Sequence, residues 1–241
     1  MKMKFKLVKP LMLLALVGLL SACISIPTPQ PDLTNPIYTV AILPFSNMSN
    51  NVDAPKHVRE TLSKKLTTKF YKVVPLDDVD RTMVDEMGIT LGEQLADVDI
   101  NEIKSKINAD AYIYGHITHY DQTMMGILNT NRVRAEMKMV QATSDNVFWS
   151  SALGIKSESK SDNMMGAFAS LASAVSDSQA DSGQWITIQR KTGGDGSTWG
   201  NLVSGLVEKA VSSMTNTTLT EETLALVNHS TRTLRNGPGF K

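Results

Sequence analysis

A strand–helix–strand pattern between residues 38 and 75 constrains the fold more than any other feature of the chain. The apolar run 38–45 ends at the turn-rich segment 46–51, which predicts a buried strand followed by a loop. An amphipathic helix is predicted over about 55–70, because apolar residues recur there at every fourth position. Residues 71–75 return as a strand, and such β-α-β crossovers join parallel strands.

Further helices and strands are predicted downstream of this unit. One helix covers about 78–87, with Asp78 as its N-cap and Gly88 at its end, and a second covers about 99–107. Alternating apolar and polar residues predict strands, the last two joined by a turn at 144–146; they cover 111–121, 132–142 and 147–155. The expected fold class is α/β, with a mixed parallel and antiparallel sheet sandwiched by helices in a single domain.

The first 22 residues have the pattern of a bacterial lipoprotein signal peptide. Four lysines precede the apolar run 11–20, which ends in the small residues Ser21 and Ala22 before Cys23. A spanning helix needs about 20 apolar residues, so the run is too short to cross a bilayer. Residues 1–22 are therefore expected to be removed, which places the domain in the periplasm.

Cys23 is the only cysteine of the chain and occupies the acceptor position of a lipobox. It is the predicted lipid-attachment site, carrying palmitate and further acyl chains that anchor the protein to the membrane. The alternative is an ordinary secretory signal with Cys23 near the cut by chance. Ser25, in place of an aspartate, favours the outer membrane with the domain facing the periplasm, whereas the inner membrane and the cell surface are less favoured alternatives.

Composition divides the mature chain into segments. Residues 23–36, which include the lipidated cysteine, are rich in proline and predict an extended tether that reaches up to roughly 40 Å. Residues 37–160 form the predicted α/β core, and 201–241 supply C-terminal helices and a tail that pack on it. The segment 161–200 is a Ser, Ala and Gly-rich insertion. Its predicted helix, over 157–182, is interpreted as a surface helix, with a flap, a partner-docking helix or a membrane-touching segment as alternatives.

The charge balance argues against a nucleic-acid ligand. Four of the 24 basic residues lie in the signal peptide, so the mature chain has 20 basic residues against 24 acidic ones. A nucleic-acid-binding protein normally has a basic face or stripe. The basic residues of this chain are instead scattered along the sequence.

Motifs for metal binding, cofactors or catalysis are not found in the sequence. His116 and His119 have an odd spacing, which puts them on opposite faces of a regular strand. A single cysteine excludes thiolate zinc sites. The glycine-rich stretch 193–200 lacks the Lys-Ser/Thr ending of a phosphate loop, and no G-x-S-x-G nucleophile motif occurs. The acidic residues near Asp80 are interpreted as a solvated face. No cofactor, no metal and no enzyme activity are predicted.

One polar aromatic face on the strand 111–121 is a candidate for partner binding. Regular alternation places Thr118 on this face, together with the candidate residues Tyr112, Tyr114, His116 and Tyr120. Tyrosine has a large apolar body with a polar tip, which suits interfaces and also packing beneath a helix. Packing is the favoured interpretation.

Several segments together resemble a known family. They are Cys23 with its lipobox, the strand 40–45 with its Asn-Ser loop, 110–118, 146–150 and the ending 237–240. The chain resembles a bacterial outer-membrane lipoprotein family of unknown function that includes a genome-derived antigen lipoprotein. The resemblance implies an α/β domain like the N-terminal domain of the Tol-system periplasmic protein and, more distantly, like the curli-export lipoprotein. It implies no catalytic residues.

The resulting hypothesis is a non-enzymatic, lipid-anchored protein that acts as an accessory or adaptor in envelope transport or assembly. Its expected partners are the membrane, through the N-terminal lipid, and envelope proteins, with a homo-oligomer as a further option. One alternative is an oligomeric export-channel component of the curli-export type, which would need long alternating strands. Another is a cell-envelope hydrolase, which would need a cleft with converging acids or histidines.

Overall fold

A mixed sheet of seven strands runs through the part of the chain that the computed structural model describes. The described residues are 28–125, 128–161, 184–192 and 219–239. The chain divides into two units, residues 1–30 and residues 31–241. In the first unit residues 28–30 are described and have no regular secondary structure. Every helix and strand below belongs to the second unit.

The strands follow the order β3-β1-β4-β5-β6-β7, and β2 pairs with β4 beyond the end of β1. β1 is parallel to β3 and β4, and β7 is parallel to β6, whereas β5 is antiparallel to both of its neighbours, β4 and β6. The predicted mixed pairing is therefore confirmed. The strands are β1 (Thr39–Ile42), β2 (Ser46–Asn47), β3 (Lys72–Val73), β4 (Ala111–Met125), β5 (Leu128–Gln141), β6 (Val147–Ser161) and β7 (Trp185–Thr192).

Helices lie on both faces of the sheet, as the sequence predicts. The larger core joins one face to two of the helices, and the smaller core joins the other face to the remaining helical segments. The first pair is α1 (Ala54–Thr68) and α4 (Thr220–Ser230), and the second group is α2 (Leu76–Met87), a 3-10 helix (Gly92–Asp97) and α3 (Ile100–Lys106).

The apolar run of β1 is continuous because this strand is buried on both faces. Val40 and Ile42 belong to the larger core, whereas Ala41 and Leu43 belong to the smaller one. Val40 and Ile42 share the larger core with the apolar stripe of α1, in which apolar residues recur at every fourth position. Leu62 of this stripe is fully buried. Burying a side chain of this size contributes about 1.5–3 kcal/mol, so the stripe fixes α1 against the sheet.

Of the two residues predicted to mark the ends of the helix 78–87, Gly88 is confirmed and Asp78 is wrong. Gly88 ends α2 in the left-handed conformation, with φ +68°, and the Asp99 carboxylate caps α3 by accepting from the Asn101 amide. Asp78 is not a cap, because α2 already begins after Pro75. Asp78 instead lies in the first helical turn, where a carboxylate interacts favourably with the helix dipole.

The three antiparallel strands are longer than predicted. β4 and β6 have 15 residues each and β5 has 14. Residues 157–161, predicted as the start of a helix, form the end of β6, because the neighbouring strand β5 pairs with their backbone. The rest of that predicted helix, the glycine-rich loop and the first part of the predicted C-terminal helices, up to residue 218, lie outside the described residues. The helix predicted near the C-terminus is confirmed as α4.

The two ends of the second unit are bound to each other, and we call this contact the terminal clamp. The Asn35 side chain donates to the Tyr71 hydroxyl at 2.9 Å and to the Asn236 carbonyl at 2.8 Å. Tyr71, fully buried, donates in turn to the Arg235 carbonyl. Burial raises the pKa of Tyr71 to about 12. The Arg235 guanidinium binds the Asp32 carboxylate at 2.6 Å.

The terminal clamp corrects the predicted tether. The prolines predict an extended spacer over 23–36, yet Asn35 is only 4% exposed, and both Asp32 and Asn35 form hydrogen bonds with the C-terminal tail. A proline-rich composition allows an extended chain but does not prevent it from packing. Of the predicted tether, the residues from Pro31 onward therefore belong to the second unit.

Among the described residues, no helix has the length and apolar character required to cross a bilayer.

Candidate binding groove

An open groove of about 660 Å³ lies between the 3-10 helix and the centre of the sheet. One wall comes from residues 92–98 and the loop after β1, and the floor comes from β4, β5 and β6. Lys138, Ser150 and Ala152 on the floor are exposed. The lining side chains with polar or aromatic groups are Ser46, Glu93, Tyr114, His116, Glu136, Lys138, Ser150 and Ser151.

The 3-10 helix is held in place by a close backbone approach and by one carboxylate. Glu93 accepts a hydrogen bond of 2.6 Å from the Asn47 amide, which joins the helix to β2. A Cβ atom on Gly92 would lie 2.2 Å from the Phe45 carbonyl carbon, so only glycine fits there. These two contacts define the width of the groove.

Replacing Gly92 by alanine is expected to lower the free energy of unfolding by about 1–3 kcal/mol, because the added methyl must displace backbone. Urea unfolding measures the change. The control is Thr90→Ala, at an exposed position two residues earlier, which is expected to change stability by less than about 0.5 kcal/mol. An unchanged midpoint for Gly92→Ala would contradict the close approach of Gly92 to Phe45.

Ser46 and His116 meet in the groove. The Ser46 hydroxyl lies 2.7 Å from His116 Nδ1 and 3.3 Å from the Gly115 carbonyl oxygen. This contact follows from pairing, since Ser46 is the register partner of His116 where β2 adds to β4. In the described part of the chain no carboxylate forms a hydrogen bond with His116, although Glu136 lies opposite it on β5. Within the described residues, the pair therefore lacks the third group that orients the base of a hydrolytic triad.

Tyr114 forms the aromatic part of the groove. The Lys138 ammonium lies 5.3 Å from the centre of its ring, which is within the range of a cation–π interaction. Burial raises the pKa of Tyr114, and the nearby Tyr112 and Asp145 act in the same direction. Tyr114 therefore remains a neutral hydroxyl that can donate to a ligand. Lys138 presents its charge at the groove surface.

The structure separates the four residues that the sequence placed on one aromatic face. Tyr114 and His116 line the groove, whereas Tyr112 is 1% exposed and donates to the Ile107 carbonyl at 2.6 Å. Tyr112 therefore packs in the smaller core beneath the helices. Tyr120 is on the opposite face, in the larger core. Cys23, the predicted lipid-attachment site, lies outside the described residues.

A β-bulge explains why the prediction for Tyr120 is wrong. The register between β4 and β5 shifts after Ile117, so that His119 pairs with Arg134 and Tyr120 with Val133. One extra residue moves every later side chain to the other face. The same shift returns His119 to the face of His116, so the predicted placement of these histidines on opposite faces is also wrong.

Sequence reasoning missed an aromatic cluster around Trp185. The Trp185 ring covers Gly154, where a Cβ atom would lie 2.4 Å from the ring. The Arg134 guanidinium lies 5.7 Å from the ring centre, and His119 meets the ring edge-on at 5.5 Å. A glycine inside a strand often marks such a close approach, so Gly154 is the signal that could have indicated it.

The described residues contain no group of three or more His, Cys, Asp or Glu side chains that could hold a metal ion. His116 and His119 share a face, but no third metal ligand joins them among the residues that the structure describes. Asp80, assigned above to a solvated acidic face, binds the buried Arg59 at 2.7 Å. Arg59 also donates to the Ile42 carbonyl at 3.0 Å, so this ion pair joins α1, α2 and β1.

The fold and the groove define an α/β domain with a mixed sheet and an open surface site. A family model described as "Putative lipoprotein GNA1162-like" matches residues 34–187. The chain belongs to this lipoprotein family, which confirms the family resemblance seen in the sequence. No curated protein matches the chain significantly.

Solved structures of bacterial proteins are similar to part of this chain. Lipoprotein GNA1162 from Neisseria meningitidis is 22% identical, with 58% of this chain and 96% of that chain covered and a TM-score of 0.47. The PelC dodecamer from Paraburkholderia phytofirmans is 14% identical, with 63% and 94% covered and a TM-score of 0.36. The LpoB C-terminal domain from Salmonella enterica is 12% identical, with 52% and 87% covered and a TM-score of 0.34. We draw no function from similarities at this level.

Proposed function

We propose that this protein is anchored through acyl chains on Cys23 to the periplasmic face of the outer membrane. There it acts without catalysis, as an adaptor that binds a segment of an envelope protein. Membership of a lipoprotein family and the lipobox support the anchor. The open groove is the single observation that carries the binding role.

The groove suits a polypeptide segment. Ser150 and Ala152 on β6 have small, exposed side chains, which leave room for an extended chain to lie across the sheet. Glu136 and Lys138 stand exposed beside them with opposite charges. Tyr114 adds an aromatic surface with a hydroxyl, a residue type that is enriched at protein interfaces. Main-chain amides and carbonyls of a bound segment would find both donors and acceptors here.

Site-specific photocrosslinking in cells tests this role. We expect a photoreactive residue at Ala152 to give a discrete adduct with another envelope protein. The same residue at Lys64, an exposed position on α1 away from the groove, is the matched control and is expected to give none. Lys138→Glu is expected to reduce the Ala152 adduct, because it reverses the charge beside the bound segment. Identical adducts from both positions, or none from Ala152, would contradict the adaptor role.

The lengths of β4, β5 and β6 favour a second candidate function, an oligomeric export component. Each of these strands has 14 or 15 residues, more than the 9–11 residues expected from the sequence for the same strands. The native mass of the acylated protein in mild detergent separates the two functions. A discrete ring-sized oligomer would favour the export component, whereas a monomer or dimer would favour the adaptor.

A further inference from the structure

The C-terminal ends of α1 and α4 meet at one corner of the second unit. The chain that follows α4 returns to the end of α1, where the Gly237 amide donates to the Lys69 carbonyl at 2.7 Å. The Asp32 amide donates to the Gly237 carbonyl at 2.9 Å. The corner therefore lies beside the point where the chain leaves towards Cys23.

This corner concentrates positive charge. Lys65 lies in the last turn of α1, Lys69 is the C-cap residue that follows this helix, and Arg232 follows the end of α4. We call these three residues the basic corner. Burial, followed by the charge of Arg232, lowers the pKa of Lys65. Burial, followed by the charge of Lys65, lowers the pKa of Lys69. The pKa of each lysine is thus lowered in part by a neighbouring positive charge.

No described carboxylate forms an ion pair with any residue of the basic corner. The nearest acid along the clamp, Asp32, is already held by Arg235 and Thr34. The two helix C-termini contribute partial negative charge, which offsets only part of the repulsion. Clustered cations in a mature chain that has an excess of acids point to an anionic ligand.

The length of the spacer identifies the anionic surface that the basic corner can reach. Residues 24–30 separate Cys23 from the second unit, and seven residues extend to at most about 25 Å. The chain enters the second unit at Pro31, next to the basic corner, whereas the groove begins beyond the other end of β1 at Pro44. Of these two surfaces, the basic corner is therefore the one beside the residue at which the chain enters the second unit.

We propose that the basic corner binds the headgroups of anionic phospholipids in the bilayer that holds the acyl chains, and so docks the domain with its groove directed away from the membrane. This inference rests on the proposed lipid anchor. Each cation near an anionic membrane surface raises the ratio of docked to undocked domain about fivefold. The interaction acts within a Debye length of about 8 Å. Three cations at one corner are sufficient to orient a domain that is already tethered.

Fluorescence energy transfer in nanodiscs tests the proposal. The acylated protein carries a donor dye at Thr68→Cys, an exposed position at the end of α1, and the acceptor is a lipid dye. We expect transfer to be higher in discs that contain phosphatidylglycerol than in discs of phosphatidylcholine alone, and the difference to disappear at high salt. Lys69→Gln with Arg232→Gln is expected to lower the ratio of docked to undocked domain about 25-fold.

The matched control is Lys56→Gln with Arg81→Gln, which removes the same charge at exposed positions away from the basic corner and should keep the docking ratio unchanged. Equal transfer in both lipid compositions, or equal loss in both double variants, would overturn the proposal and would favour an acidic protein as the ligand. Mass spectrometry reports the acyl chains separately. If they are missing, the anchor is wrong, and the same dye then measures docking on added vesicles of both compositions.

Discussion

Release of the protein into the soluble periplasmic fraction is the expected result when its first 23 residues are replaced by an ordinary cleavable secretory signal. Each buried CH₂ of an acyl chain contributes about 0.8 kcal/mol to membrane binding, so several chains hold a protein stably. The variant has no acceptor thiol, because Cys23 is the only cysteine. Fractionation of membranes and soluble periplasm measures the change. Replacement of the whole signal is needed because Cys23→Ala alone would leave an uncleaved apolar segment in the membrane.

The control is Ser21→Ala, which keeps a small residue before the cut and is expected to leave the protein in the membrane fraction. Membrane association that persists without Cys23 and without the signal would remove the lipid anchor from the proposed function. The chain would then be held by a partner or by the basic corner alone. High salt would distinguish these two cases, because it weakens binding to anionic lipid.

Replacing Asn35 by alanine is expected to lower the free energy of unfolding by about 2–4 kcal/mol. The Asn35 side chain makes three hydrogen bonds, to the Tyr71 hydroxyl, the Asn236 carbonyl and the Ile37 amide. Asn35 is 4% exposed, so water does not replace these bonds readily. Each buried group left without a partner costs about 1–3 kcal/mol. Chemical unfolding with urea measures the loss.

Thr34→Ala is the control for the terminal clamp, because Thr34 is exposed and binds at the surface to Asp32 and Arg235. A change of less than about 0.5 kcal/mol is expected there. Similar midpoints for Asn35→Ala and Thr34→Ala would mean that the clamp adds no stability. Tyr71 gives an independent measure, since its pKa is raised to about 12. The stability that it contributes is complete below pH 10 and is lost as the pH rises through 12.

Sequence periodicity predicted the helices and strands that have one apolar face and one polar face. The stripe on α1 and the alternation in β5 each follow from one apolar side and one polar side, and both are found where the sequence placed them. Periodicity could not indicate the bulge after Ile117, because one extra residue changes the face of Tyr120 without changing the composition of the strand. The lengths of the strands were underestimated for a related reason. Their polar ends are stabilised by backbone pairing, which has no side-chain pattern.

The groove could not be predicted, because its parts are distant in sequence. Ser46, Gly92, His116 and Ser150 come together through the pairing of β2 with β4 and the approach of the 3-10 helix to the loop after β1. Tyr114 and His116 are candidates on chemistry alone, and both line the groove. Gly92 has no motif around it. Its importance depends on a backbone contact that exists only in the folded chain.

The terminal clamp determines where mechanical force would enter the domain. A pull on the chain ahead of Pro31 loads the bonds from Asp32 and Asn35 to the C-terminal tail before it reaches Thr39, where β1 begins. The tail is bonded to the loop between α1 and β3 through Lys69 and Phe70, so the load is shared by segments from both ends of the chain. If acyl chains on Cys23 anchor the protein, tension from the bilayer would be taken up at this corner. The pairing of β1 with β4, and with it the shape of the groove, would then be shielded from that strain.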